Sequence, residues 1–132
     1  MESLVEAAEQ SHAIWKFATS YPDIGKLRAF ATMVEQEMGL SCEWSWHDQV
    51  DIAQAGNSKG KLLQHWVESE GLTMAQVVAF GDNFNDLSML KAAGLGVAMG
   101  NSDDAIKADA DVTIGDNETP SIADFLYQRI LG

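Results

Sequence analysis

Val77-Val78-Ala79-Phe80-Gly81-Asp82-Asn83-Phe84-Asn85-Asp86 is an apolar run that ends at a glycine and turns acidic. Its opening residues, closed by a turn signal, read as a buried strand from Val77 to Phe80. The next residues, Leu87-Ser88-Met89-Leu90-Lys91, are amphipathic in the manner of a helix. A carboxylate cluster therefore stands where a buried strand ends, the place where open α/β sheets gather their chemistry. Asp82 is the first polar side chain past the strand, Gly81 lets the backbone turn, and Asn85-Asp86 follow one helical turn later toward the same crevice. A divalent cation is the guest such oxygens suit. The plainer alternative is that Asp and Asn here only cap the next helix. A calcium loop fails on spacing, because counting from Asp82 puts Phe84 where an oxygen ligand is needed and Leu87 where the glycine belongs.

A second feature lies upstream. Gly56-Asn57-Ser58-Lys59-Gly60-Lys61 opens a periodic segment with Leu62, Leu63, Trp66 and Val67 on its apolar positions. The positive end of a helix dipole repels cations and attracts anions. Lys59 at a helix start therefore points to a phosphate shared with that terminus, against the alternative of a solvated loop lysine. Ser58 can cap the helix in either case.

With both segments in view, the chain resembles the haloacid dehalogenase superfamily of aspartate-nucleophile phosphatases, in particular its Cof-type branch. Ser58-Lys59-Gly60 is similar to the third motif of that family and Gly81-Asp82-Asn83-Phe84-Asn85-Asp86 to the fourth. Ala92 through Ser102 resembles the strand and loop that follow. The wording around Trp44-Ser45-Trp46-His47 and from Phe80 to Met89 is most similar to enterobacterial members that act on pyridoxal phosphate and small sugar phosphates. The resemblance implies a magnesium-dependent phosphomonoesterase working through an aspartyl-phosphate. It implies Lys59, Asp82 and Asp86 as catalytic residues, with Lys59 and Asn85 holding the phosphoryl group. Mg2+ would be held by Asp82, and by Asp86 in an outer shell or through water. Family members begin with a strand running into Asp-x-Asp, the first Asp being the nucleophile. Met1 to Gln10 is instead Glu-rich and helical in pattern, so the chain corresponds to the later part of a family member and is expected to be inactive alone. The alternative is a non-catalytic binding or assembly module built on the same remnant.

Asp109-Ala110-Asp111-Val112-Thr113 literally spells the nucleophile motif, but in the wrong context. The nucleophile stands where a buried strand ends, whereas these aspartates precede the short strand Val112 to Ile114 and are expected in the turn entering it, away from the Asp82 crevice.

Composition sets outer bounds. The chain has 132 residues, 46% apolar and 21% charged, with no apolar stretch near the roughly 20 residues of a membrane span. A formal net charge of −12 opposes non-specific binding to nucleic acid or anionic membranes. Cys42 stands alone and no signal-peptide pattern appears, so a cytoplasmic location is expected.

The fold class expected is α/β, a partial Rossmann-like core with a parallel sheet, preceded by a β-α-β-β remnant of an α+β cap. Residues 1–55 are assigned to the closing part of the cap. In them a strand at Ala13 to Ala18 precedes a helix opened by Pro22-Asp23 and stopped by Gly39, and a hairpin turns at His47-Asp48. Residues 56–132 are assigned to the core, alternating helix and strand as parallel sheets require. Pro120 opens the last helix, with Thr119 as its cap. Trp44 and Trp46 alternate and should share one sheet face, with Ser45 and His47 on the other. His12, His47 and His65 lack metal-ligand spacing. The glycines at 94, 96 and 100 miss the dinucleotide fingerprint. The partner implied is a small phosphorylated metabolite. An unpaired sheet edge could also recruit a second copy.

Overall fold

A computed structural model describes residues 3–132, which divide into two compact units between residues 55 and 56. In the first, Ser3 accepts the Glu6 N–H and opens helix α1 (Leu4–Gln10). Strand β1 (Phe17–Ser20), helix α2 (Ile24–Met38), and strands β2 (Leu40–Trp46) and β3 (Gln49–Gln54) follow. They form an antiparallel sheet of order β1-β3-β2. The α2 boundaries follow from local chemistry: the Asp23 carboxylate accepts the Lys26 N–H at 3.1 Å, and Gly39 ends the helix at φ +65°. Leu27 and Ala31 of α2 pack on Val50, with Cys42 and Trp44 at the margin. The Arg28 guanidinium lies 5.3 Å from the centre of a Trp44 ring.

Two expectations change here. The first strand starts at Phe17 rather than Ala13, because the ladder with β3 begins at Phe17 opposite Ile52. Trp44 and Trp46 do not continue a simple alternation, since the β2–β3 register shifts between them. Trp44 packs at the core, while Trp46 is exposed beside the His47 ring.

The second unit contains helix α3 (Lys59–Ser69), strand β4 (Val78–Gly81), helix α4 (Leu87–Ala92), strand β5 (Leu95–Ala98), helix α5 (Asp104–Asp109), strand β6 (Val112–Thr113) and helix α6 (Ser121–Leu126). A π-helical turn, Tyr127–Leu131, continues α6. The strands pair in parallel in the order β4-β5-β6, so all three end on one side of the sheet. Ala79, Leu90, Ala98 and Ile106 make the core, with Leu90 and Ile106 99% removed from solvent. Side chains of that size contribute about 1.5–3 kcal/mol each when fully buried. Phe125 of α6 sets its ring edge-on to Phe80, with centroids 5.9 Å apart.

Thr119 does not cap α6. Its hydroxyl donates to Asp116 O at 2.7 Å, and Pro120 occupies the cap position with no side-chain bond. Asp109 is the last residue of α5 rather than part of a turn. Among the described residues no helix is long and apolar enough to cross a membrane.

Candidate active site

The C-terminal end of β4 is built around Asp86. A 3-10 turn, Phe84–Asp86, follows the strand and folds the Asp86 side chain back over Gly81. The approach is so close that a Cβ on Gly81 would stand 2.6 Å from the Asp86 Cβ, so only glycine fits. Asp86 Oδ2 accepts the N–H groups of Asp82 and Asn83 at 3.0 and 3.1 Å. Its Oδ1 pairs with the Lys59 ammonium. The Asp86 side chain is 8% exposed, so this carboxylate is buried, and each of its oxygens holds a partner.

Lys59 comes to it from α3. Ser58 caps that helix by accepting the Lys61 N–H at 3.2 Å, which places Lys59 as the first helical residue. The next residue, Gly60, lies directly on the start of α4, where its N–H donates to Ser88 Oγ at 3.1 Å. A Cβ on Gly60 would come within 2.4 Å of Ser88 O, a backbone atom that cannot give way. The glycine thus joins the two helix starts, and the lysine stem spans the remaining distance. Lys59 Nζ also donates to Asn85 Oδ1 at 3.4 Å.

Lys59, Asn85 and Asp86 are therefore brought together as a hydrogen-bonded group, and Asp82 joins through its own N–H. The ion partner of Lys59 is Asp86 rather than Asp82. The Asp82 carboxylate is exposed, and its Oδ2 accepts from Asn101 Nδ2 at 3.2 Å. Asp82 and Asp86 border an open depression of about 590 Å3 whose apolar lining includes Phe80, Ile122 and Leu126. Asp109 and Asp111 are elsewhere. Asp109 pairs with Lys91 at 2.9 Å. Asp111 precedes β6 and accepts the Gly96 N–H at 2.7 Å, at the opposite end of the strands from Gly81 and Ala98.

Ser88 and Asn101 were not singled out from the sequence. Ser88 looks like an ordinary first-turn helix residue. Asn101 follows a glycine after a strand, the pattern of a simple turn.

The donor set fits a hard divalent cation in part. Asp82 lines the depression with an exposed carboxylate that accepts a hydrogen bond at Oδ2, whereas both oxygens of Asp86 already hold partners and suit an orienting role. Among the described residues no three His, Cys, Asp or Glu side chains cluster as a metal site.

The parallel α/β sheet of the second unit agrees with the comparisons. Residues 3–126 match the haloacid dehalogenase-like hydrolase family, and the chain belongs to it. It is 62% identical over 129 residues to the pyridoxal phosphate phosphatase YbhA of Escherichia coli, covering 98% of this chain and 47% of that protein. It is 38% identical over 108 residues to the 5-amino-6-(5-phospho-D-ribitylamino)uracil phosphatase YitU of Bacillus subtilis, covering 80% of this chain and 40% of that protein. A solved haloacid dehalogenase-like hydrolase from B. subtilis superposes with a TM-score of 0.84 at 26% identity, over 95% of this chain and 45% of that one. The chain thus spans less than half the length of these curated relatives.

Proposed function

We propose that this chain supplies the phosphate- and cation-binding part of a magnesium-dependent phosphomonoesterase acting on a small phosphorylated metabolite, with pyridoxal phosphate or a sugar phosphate as the substrate class. The observation that carries the reading is the group at the end of β4, where Lys59, Asn85 and Asp86 interlock beside the open carboxylate of Asp82. Lys59 offers a cation to a phosphoryl oxygen and to an attacking carboxylate, reducing the repulsion between two anions. Asn85 lies beside it and can hydrogen-bond the same group. Asp86 fixes Lys59 and the Asp82 main chain, and Asp82 Oδ1 is the direct ligand this chain offers to Mg2+. Mg2+ held by Asp82 would supply neutralising charge to the phosphate. The nucleophile is assigned to sequence outside this chain. Within the described residues the outer edge of β4 carries no strand, and a parallel strand added there would end beside Asp82. Residues 1–55 are assigned to the closing part of a substrate-selecting cap. The similarity to a named pyridoxal phosphate phosphatase supports the substrate class.

The test is a continuous chain in which the N-terminal half of the E. coli relative precedes this sequence. Magnesium-dependent release of phosphate from pyridoxal phosphate is expected, falling by two orders of magnitude or more in Lys59→Ala or Asp82→Asn. Activity that survives both substitutions overturns the assignment.

A further inference from the structure

Asn101 lies in the turn after β5, and both ends of its amide are engaged. Nδ2 donates to Asp82 Oδ2 at 3.2 Å, and Oδ1 accepts the Asn117 N–H at 3.0 Å. The Asn117 N–H can only donate and so must face the amide oxygen, which leaves the Asn101 NH2 to donate to the Asp82 carboxylate. The orientation of the amide is therefore fixed by its neighbours. The turn is itself tied to the segment after β6, since the Gly100 N–H donates to Gly115 O at 2.9 Å. Asn101 thus links two loops at the strand ends to the Asp82 carboxylate.

We propose that Asn101 is a positioning residue for the cation site, holding Asp82 by Oδ2 so that Oδ1 is presented to a divalent cation. The inference rests on the reading of Asp82 as a cation ligand. Asp86 and Asn101 divide the task of placing that ligand. Asp86 binds the Asp82 main-chain N–H and sets the backbone, while Asn101 binds the carboxylate and sets the side chain. Without Asn101, an exposed Asp82 is free to rotate, and ordering it opposes each binding event. Groups that hydrogen-bond a metal-ligating carboxylate typically change affinity by about 10- to 100-fold.

The test uses Mn2+ as probe, a cation suited to carboxylate and water ligands, with free Mn2+ counted by electron paramagnetic resonance. Asp82→Asn sets the baseline. Asn101→Ala and Asn101→Ser, neither of which can reach both partners, should each weaken Mn2+ binding by about tenfold. Both should leave the far-ultraviolet circular dichroism of the parent unchanged, because Asn101 is exposed. In the Asp82→Asn background, Asn101→Ala should cause no further loss. A parent that binds Mn2+ no better than Asp82→Asn overturns the cation-site reading and the positioning role with it. A parent that binds Mn2+ more tightly than Asp82→Asn, however weakly, with both Asn101 variants within twofold of it, overturns the positioning role alone. So does a further loss in the Asp82→Asn background, since Asn101 would then act by another route.

Discussion

Lys59, the first residue of α3, pairs its ammonium with Asp86 in the turn after β4, and the other Asp86 oxygen holds the N–H groups of Asp82 and Asn83. One buried carboxylate therefore organises two loops that are far apart in sequence. The pair places a cation at the end of a strand and keeps the neighbouring Asp82 carboxylate free for another task.

The first prediction follows from that division. Asp86→Ala leaves two backbone N–H groups without their acceptor, each costing about 1–3 kcal/mol to the extent that it is buried. A total loss of about 2–3 kcal/mol is expected. Lys59→Ala should cost less, about 1 kcal/mol or under, because Lys59 is half exposed and solvent screens its side of the pair. Urea unfolding followed by circular dichroism ranks the two. A Lys59 variant as unstable as the Asp86 variant would show that the charge pair, and not the N–H bonds, holds the turn.

Gly60→Ala is the second. The added Cβ meets the Ser88 carbonyl and the Met89 nitrogen, so the start of α3 must move off α4. A loss of about 1–3 kcal/mol is expected from the overpacking. Lys59 should be carried away from Asp86, so the variant should lose site function beyond its loss of stability. An alanine variant that melts with the parent would mean the helix starts are less closely joined than this contact requires.

The part of the site that could be read from sequence is the part written in local chemistry. Ser58, Lys59 and Gly81 through Asp86 announce themselves through turn residues, a helix start and a buried strand, and they do converge. Asn101 could not be read in this way, because its role depends on two loops meeting after β5 and β6, and one asparagine after a glycine carries no sign of that. The fold shows the same split. Helix α2 was legible at both ends because Asp23 and Gly39 act on their immediate neighbours. The start of strand β1 is not legible from its own residues, because it is set by Ile52, 35 residues away in its partner strand. The break in alternation at Trp46 arises from a register shift, which is a property of two strands together.

A third prediction concerns Cys42. Burial pushes its thiol pKa above the ordinary value, and the nearby Glu35 charge raises it further. The unfolded chain gives up this proton at lower pH than the folded one, so the contribution is fully present below the unfolded value. It is lost as pH rises through the unfolded and then the folded pKa. Stability should therefore decline above about pH 8.5, the ordinary range of a free thiol, and less steeply in Cys42→Ala. Alkylation by iodoacetamide at pH 8.5 should be several-fold slower in the folded chain than in urea. Glu35→Gln should recover part of that rate, because it removes the charge while keeping an acceptor for the Cys42 N–H. An unchanged rate in Glu35→Gln would assign the whole shift to burial.

The last prediction concerns what this chain can do by itself. Asp82 has a hydrogen bond on one carboxylate oxygen, whereas both oxygens of Asp86 already hold partners. Mg2+ prefers six oxygens and releases its waters reluctantly, so a site with one charged protein ligand should bind it at about millimolar strength or weaker. Titration calorimetry on the isolated chain reads this directly, and micromolar binding would mean that further ligands converge on Asp82. The same shortage bears on catalysis. Lys59 and Asn85 can hold a phosphate, but among the described residues beside them the one carboxylate open to attack phosphorus is Asp82, which is assigned to the cation. The isolated chain with Mg2+ should therefore hydrolyse p-nitrophenyl phosphate no faster than its Lys59→Ala, Asp82→Asn double variant. Turnover well above that control would place the nucleophile within these 132 residues. Asp82 would then be the first residue to test, by trapping a phosphorylated chain and locating the modified aspartate.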